Sequence, residues 1–239
     1  MYAIYKKEIK SFFNTIEGYV AIIVFFISTS LILWYIPSDY NIIYNKQASL
    51  SPFFSVSPWV LLFLMPAITM KMLSQESSQK TITILLTKPI KKWEVICAKF
   101  LASFTIGCIA VSPSFIFVYS VLELSEPVGN LDYGELIGSY IGLVMLIGTY
   151  SAIGLFGSII SKNMMIAFIL TTIIILFFLF GLDLLSNNYD NSLLQYLCIN
   201  THYESISRGV IDSRDITYFI SITAFFLITS TIIIEKQNS

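Results

Sequence analysis

The sequence predicts an all-α polytopic membrane protein with six transmembrane helices. Three observations predict it: a composition too apolar for a soluble surface, six apolar stretches of spanning length, and a one-sided distribution of positive charge. Of 239 residues, 56% are hydrophobic and 12% charged, where a soluble domain carries about 25% charged residues. The mean hydropathy is +0.77. The net charge of −1 gives no reason to expect a nucleic-acid partner.

The chain opens with an amphipathic segment over residues 1–15. Tyr2, Tyr5, Ile9 and Phe12 recur at helical spacing and share one face, while Lys6, Lys7 and Lys10 lie largely on the other. Such a helix suits the membrane interface, its lysines meeting anionic lipid headgroups. The simpler alternative is a topogenic charge cluster. The apolar run that follows, 18–36, is longer than the h-region of a secretory signal and no small-x-small cleavage site follows it, so it reads as a retained first span.

A helix needs about 20 apolar residues to cross the hydrocarbon core. The remaining candidates are 57–73, 98–122, 136–160, 164–185 and 216–234. The second span is short and holds Pro58 and Pro66, with Trp59 and Lys71 placed as interfacial anchors. Pro66 and Pro113 predict kinks, or hinges, in spans two and three. Of the 14 Lys and Arg, Lys46, Arg208 and Arg214 fall on one side and the other eleven, including Lys71, Lys80, Lys88, Lys91, Lys92, Lys99, Lys162 and Lys236, on the opposite side. Positive charge marks the cytoplasmic side, so both termini are expected there. The chain reads as a single transmembrane domain, 1–239, with a cytoplasmic connection at 74–97 and an outer segment at 186–215.

Besides the N-terminal segment, three segments could carry function. In the connection 74–97, Ile82, Leu85 and Leu86 share a helical face before Lys88-Pro89 stops the helix. An exposed apolar face needs a cover, either another protein or this chain's own bundle. The outer segment carries charges of both signs around His202, Arg208, Gly209, Asp212, Arg214 and Asp215. His202 is the only histidine; a lone histidine with one acid makes neither a metal site nor a triad, and ion pairs of Arg208 and Arg214 with nearby acids are expected. Gly138 and Gly142 form a GxxxG in span four, which serves close helix approach within the bundle or a dimer face. Cys97, Cys108 and Cys198 show no CxxC or Cys/His spacing, so no metal site or disulfide framework is expected.

Charges deep in a span mark ion or proton pathways. Asp183, near the outer end of span five, is the sole acid inside a predicted span away from its first turns. GxxxxGK[ST], HExxH and GxSxG are absent from the sequence. No catalytic residues are assigned, and any uphill work draws its energy from another chain.

The run Gln75-Glu76…Lys80-Thr81-Ile82-Thr83-Ile84-Leu85-Leu86-Thr87-Lys88-Pro89-Ile90-Lys91-Lys92-Trp93-Glu94 resembles the loop between spans two and three of ABC-2 type permeases. Supporting stretches are Ser51–Ser55, Pro58–Val60, Met65–Met70, Pro127–Asn130, Gly138–Leu143 and His202–Asp215. More narrowly, the chain is similar to the permease subunits of gliding-motility-associated ABC transporters. The resemblance implies a type V exporter-like fold in the bacterial inner membrane, with no cofactor on this chain and ATP and Mg²⁺ on a separate ABC ATPase. It implies pairing with a second, identical or related permease. The N-terminal helix would be the elbow helix, and Glu76, Thr81, Ile82, Leu85, Leu86, Thr87 and Pro89 would seat in the ATPase. The segment around Arg208 would form a short re-entrant element. Family loops commonly read Glu-Glu-(Arg)-x-x-Gly-Thr-Leu-Glu; here Gln75, Lys80 and Thr83 stand at the first acid, the glycine and the later acid. A non-transporting scaffold of a motility or secretion complex is the alternative role.

Overall fold

The computed structural model describes residues 1–45, 48–78, 91–189, 192–210 and 212–236. The described residues are helical and carry no strand. The helices are α1 (Tyr2–Phe13), α2 (Ile16–Trp34), α3 (Ile42–Asn45), α4 (Ser51–Ser78), α5 (Lys92–Val111), α6 (Phe115–Leu124), α7 (Tyr133–Ile160), α8 (Met164–Leu176), α9 (Leu182–Tyr189), α10 (Ser192–Tyr196), α11 (Ile199–Ser207) and α12 (Ser213–Lys236). Five spans are each long and apolar enough to cross a membrane: Ser51–Gln75, Lys92–Leu124, Tyr133–Ile160, Met164–Ser186 and Ser213–Lys236. A sixth arises when Gly18–Trp34 is joined to Tyr2–Phe13, a pair bent by 68°.

The observed helices outrun the apolar stretches. The second span is the clearest case. Expected over 57–73, it belongs to a helix of 28 residues, because Ser51–Val56, whose Phe53, Phe54 and Val56 are buried, and the polar Ser74–Ser78 continue the same turns. The expected loop 37–56 therefore includes both α3 and the start of α4, and helix extends into both ends of the expected connection 74–97. Pro113 lies in a 3-10 turn, Ser112–Ser114, between α5 and α6, and a π-helical stretch, Phe177–Gly181, separates α8 from α9.

Local chemistry sets the helix starts. Asp132 Oδ1 accepts from the Gly134 and Glu135 amides at 2.8 and 3.2 Å, capping α7. Asn163 Oδ1 accepts from the Met165 amide at 2.9 Å and starts α8 after the tight turn at 161–163. The Pro127–Asn130 turn closes with the Asn130 amide donating to the Pro127 carbonyl at 3.1 Å, with Gly129 at φ +88.

α7 is the centre. It packs against α4, α5, α8, α11 and α12, and 78% of its most apolar window is buried, against 17% for α12. Small residues make this possible. A Cβ on Gly154 or Gly157 would run into the Thr69 or Thr171 side chain, so α4 and α8 approach α7 at backbone distance.

Candidate functional site

The helices of the bundle are tied by polar contacts at its two ends. One end gathers both termini. The N-terminal ammonium lies 3.9 Å from Glu94, and Lys92 Nζ donates to the Glu235 carbonyl at 3.5 Å.

At this end α1 lies against α5. Tyr5, Ile9 and Phe12 pack on the core, whereas Tyr2 of the same sequence-defined face is exposed. The buried stripe runs instead through Ile4 and Glu8. Glu8 is buried because Lys99 of α5 meets it: Nζ donates to Glu8 Oε1 at 2.8 Å and to the Met72 carbonyl at 2.6 Å. Lys99, counted in the sequence among the positive charges of the cytoplasmic side, is fully buried. One ammonium thus joins α5 to α1 and α4.

Beside this ammonium, Ser158 of α7 enters the hydrogen-bond ladder of α4. Its Oγ accepts from the Leu73 and Ser74 amides at 3.1 and 3.0 Å and donates to the Met70 carbonyl at 3.1 Å. A side chain inserted in the i→i−4 ladder is a recognised cause of a local bend. The last turns of α4 are therefore held by side chains of α5 and α7. Immediately beyond them, Thr81, Ile82, Leu85, Leu86, Thr87 and Pro89 lie outside the described residues. Glu76 is on the last turn of α4, and its side chain is also outside the description.

The far end is organised by α11. Pro58 has no N–H, so the Phe54 carbonyl four residues before it loses its helical donor. Tyr203 of α11 replaces that donor, its hydroxyl donating to Phe54 O at 2.7 Å. Burial holds the Tyr203 hydroxyl far above the ordinary phenol range, so it remains a donor. Ser139 donates to the Ser207 carbonyl at 2.9 Å. A Cβ on Gly138 would stand 2.7 Å from the Ile206 carbonyl oxygen and 2.8 Å from Gly209 Cα, and Gly209 turns the chain at φ +85. The GxxxG face is thus occupied by this chain's own α11, which removes it as a free dimer face.

A cavity of about 330 Å³ opens here, walled by Trp59, Phe180, Glu135, Tyr203, Glu204 and Arg208 among others. Trp59 stacks on Phe180 of the π-helical stretch, with ring centroids 4.2 Å apart. Arg208 reaches Glu204 only at 4.0 Å on an exposed surface. Arg214 has no ion pair among the described residues, and Asp212 caps its backbone amide at 3.0 Å instead. Of the two expected arginine pairings, that of Arg208 is present with Glu204 at the surface, and the buried pair of this segment is His202 with Asp215, 2.6 Å apart. The sequence carried no signal for the contacts of Lys99 with Glu8, of Ser158 with the Met70–Ser74 turn, or of Tyr203 with the Phe54 carbonyl.

No curated protein matches the chain. The family model described as ABC-2 family transporter protein matches residues 2–234, nearly the whole length. The chain therefore belongs to the ABC-2 transporter family, as a multi-pass, non-catalytic membrane permease subunit of an ABC transporter.

Proposed function

We propose that this chain works as one of two permease subunits, identical or related, driven by a separate ABC ATPase, in a transporter associated with gliding motility. It lies in the bacterial inner membrane with both termini in the cytoplasm. The gathering of both termini at one end of the bundle supports an even number of crossings. The excess of Lys and Arg on that side supports its cytoplasmic placement. The exposed Lys6, Lys7 and Lys10 of α1 would meet anionic lipid there. ATP and Mg²⁺ would bind the ATPase, and the segment around Arg208 would be the outer, re-entrant element. The association with gliding rests on the sequence resemblance.

The carrying observation is the mount of α4. Its end leads directly into the 79–90 segment and is held by Lys99, which also binds Glu8 of α1, and by Ser158. A push delivered to that segment would reach α1, α5 and α7 together. Leu85→Asp places a charge on the shared face of Ile82, Leu85 and Leu86, and we expect the ATPase to be lost on co-purification in mild detergent. Undiminished association would overturn the assignment of that face. If substitutions in the phosphate-binding loop of the ATPase leave the cellular phenotype intact, the complex is a scaffold rather than a pump.

A further inference from the structure

The far-end cavity has a hydrogen-bonding character of its own. Its walls come mainly from α4, α7, the π-helical stretch and α11. At about 330 Å³ it lies within the size range of small-molecule sites, which combine an apolar surface with a few placed polar groups. Trp59 and Phe180 form the apolar surface. They stack on each other, and Trp59 remains 45% exposed.

Most hydroxyl hydrogens along the wall are already engaged. Ser55 donates to Ser51 O, Ser139 to Ser207 O, Ser207 to Glu204 O and Tyr203 to Phe54 O. A hydroxyl has one hydrogen, so these side chains keep only lone pairs for a ligand. Glu204 Oε1 accepts one Asn200 amide hydrogen. The Tyr40 and Ser51 hydroxyls can donate or accept. The wall is therefore rich in acceptors, and among the described residues that line it Arg208 is the one cation.

Two carboxylates stand against this cation. Glu204 meets Arg208 at 4.0 Å, with both side chains exposed at the rim. Glu135 differs: among the described residues its carboxylate has no hydrogen bond and no ion pair. It also lines a neighbouring cavity of about 240 Å³, together with Ser51 and Phe54. Asp132 of that second cavity is already engaged, because its Oδ1 caps α7. An unengaged carboxylate beside aromatic rings and hydroxyl lone pairs suits a ligand that brings its own hydrogens and a positive charge. An anion would face two carboxylates and one guanidinium. A sugar hydroxyl needs donors as much as acceptors. A metal ion needs clustered ligands, and among the described residues no group of three or more His, Cys, Asp or Glu is placed to hold one.

We propose that this cavity binds a small organic ammonium ion, its N–H groups on Glu135 and the hydroxyl lone pairs and its carbon body against Trp59 and Phe180. A primary ammonium supplies three donors, and the indole attracts a cation as well as an apolar stem. Arg208 is then a competitor at the rim. It holds Glu204, and its removal frees a second carboxylate for the ligand. The assignment rests on the cavity wall alone and holds whether or not an ATPase drives this chain.

Charge is separated from shape with probes of similar outline: 2-phenylethylamine, the neutral 2-phenylethanol and the anionic phenylacetate. The full chain is held in phosphatidylcholine nanodiscs. Binding is measured by equilibrium dialysis, and protein-free discs subtract partition into lipid. We expect saturable binding of the amine, at least about tenfold tighter than the alcohol, because hydrogen bonds to charged groups exceed neutral ones. Phenylacetate should not bind. Glu135→Gln keeps the shape of the wall and should remove most of the preference for the amine. Arg208→Gln should tighten the amine about two- to fivefold, the strength of an exposed ion pair released. Neither side chain belongs to the buried fastenings, so folding is not at stake in either variant. Equal binding of amine and alcohol overturns the proposal, as does an amine preference that Glu135→Gln leaves intact. Tighter binding of phenylacetate, lost in Arg208→Gln, overturns it in favour of an anion site. Absence of saturable amine binding to the unaltered chain also overturns it.

Discussion

Replacing Lys99 with methionine tests the mount at the terminal end. Methionine keeps most of the volume and removes the charge. Among the described residues, two groups then lose this partner: the Glu8 carboxylate, whose side chain is 10% exposed, and the Met72 carbonyl. Breaking a buried pair from one side costs about 3–5 kcal/mol, because the surviving charge stays out of water. Lys7 lies 3.6 Å from Glu8 Oε1 but is 58% exposed, so it recovers little of this. We therefore expect Lys99→Met to lower the unfolding free energy by about 3–5 kcal/mol, measured by denaturant titration in mixed micelles. The double variant Glu8→Met/Lys99→Met should cost far less than the two singles together, since neither charge remains. If Lys99→Met costs under about 1 kcal/mol, or if the two singles add within about 0.5 kcal/mol, the ammonium is not the fastening described.

Two further predictions concern the far end. Gly138→Val forces a Cβ against the Ile206 carbonyl and Gly209 Cα, both backbone, and should cost about 1–3 kcal/mol with earlier proteolysis in 199–210. Gly142→Ala meets Ile206 and Tyr203 side chains at ordinary distances of 3.4–3.5 Å and should change little in the same assay. Tyr203→Phe leaves the Phe54 carbonyl buried without a donor and should cost about 1–3 kcal/mol. Pairing it with Pro58→Ala, which restores a helical N–H to that carbonyl, should recover much of the loss. A Tyr203→Phe penalty that Pro58→Ala leaves untouched would refute the exchange of donors.

The class of fold was legible because hydropathy is a bulk property of each stretch. The ends of the helices were not, because α4 and α7 continue into polar turns whose hydrogen bonds need no apolar side chains. The sites were legible in halves. Pro58 says that the Phe54 carbonyl needs a donor, but nothing in the sequence points to Tyr203, 149 residues away. Gly138 and Gly142 announce a close approach without naming the helix that makes it. Lys99 reads as one more positive charge when signs are counted along the chain; its burial depends on Glu8, 91 residues earlier. The charge asymmetry still holds without Lys99, which is why the orientation argument and the misplacement of that lysine are compatible. Local pattern therefore identified groups with a need, and the long-range fold supplied what meets it.

The two ends are connected by helices of unlike character. α4 and α7 each have 28 residues, about 42 Å at 1.5 Å per residue, enough to cross the core with a turn or more projecting at each side. α7 has no proline, lies at the centre, and carries Ser158 at one end and Gly138 and Ser139 at the other. It is built to move as one piece. α4 holds Pro58 and Pro66 and is entered by Ser158 near Met70–Ser74, so its ladder is interrupted at both ends. Displacement of its terminal end can be taken up by bending at those interruptions. The Gly154–Thr69 contact lies between them and ties α4 to the stiffer α7. In that arrangement α4 flexes against α7, and the far-end response depends on whether Tyr203 keeps its hold on Phe54. Weakening Lys99 and weakening Tyr203 should thus act through the same helix, and their effects should be less than additive on any readout of α4 bending.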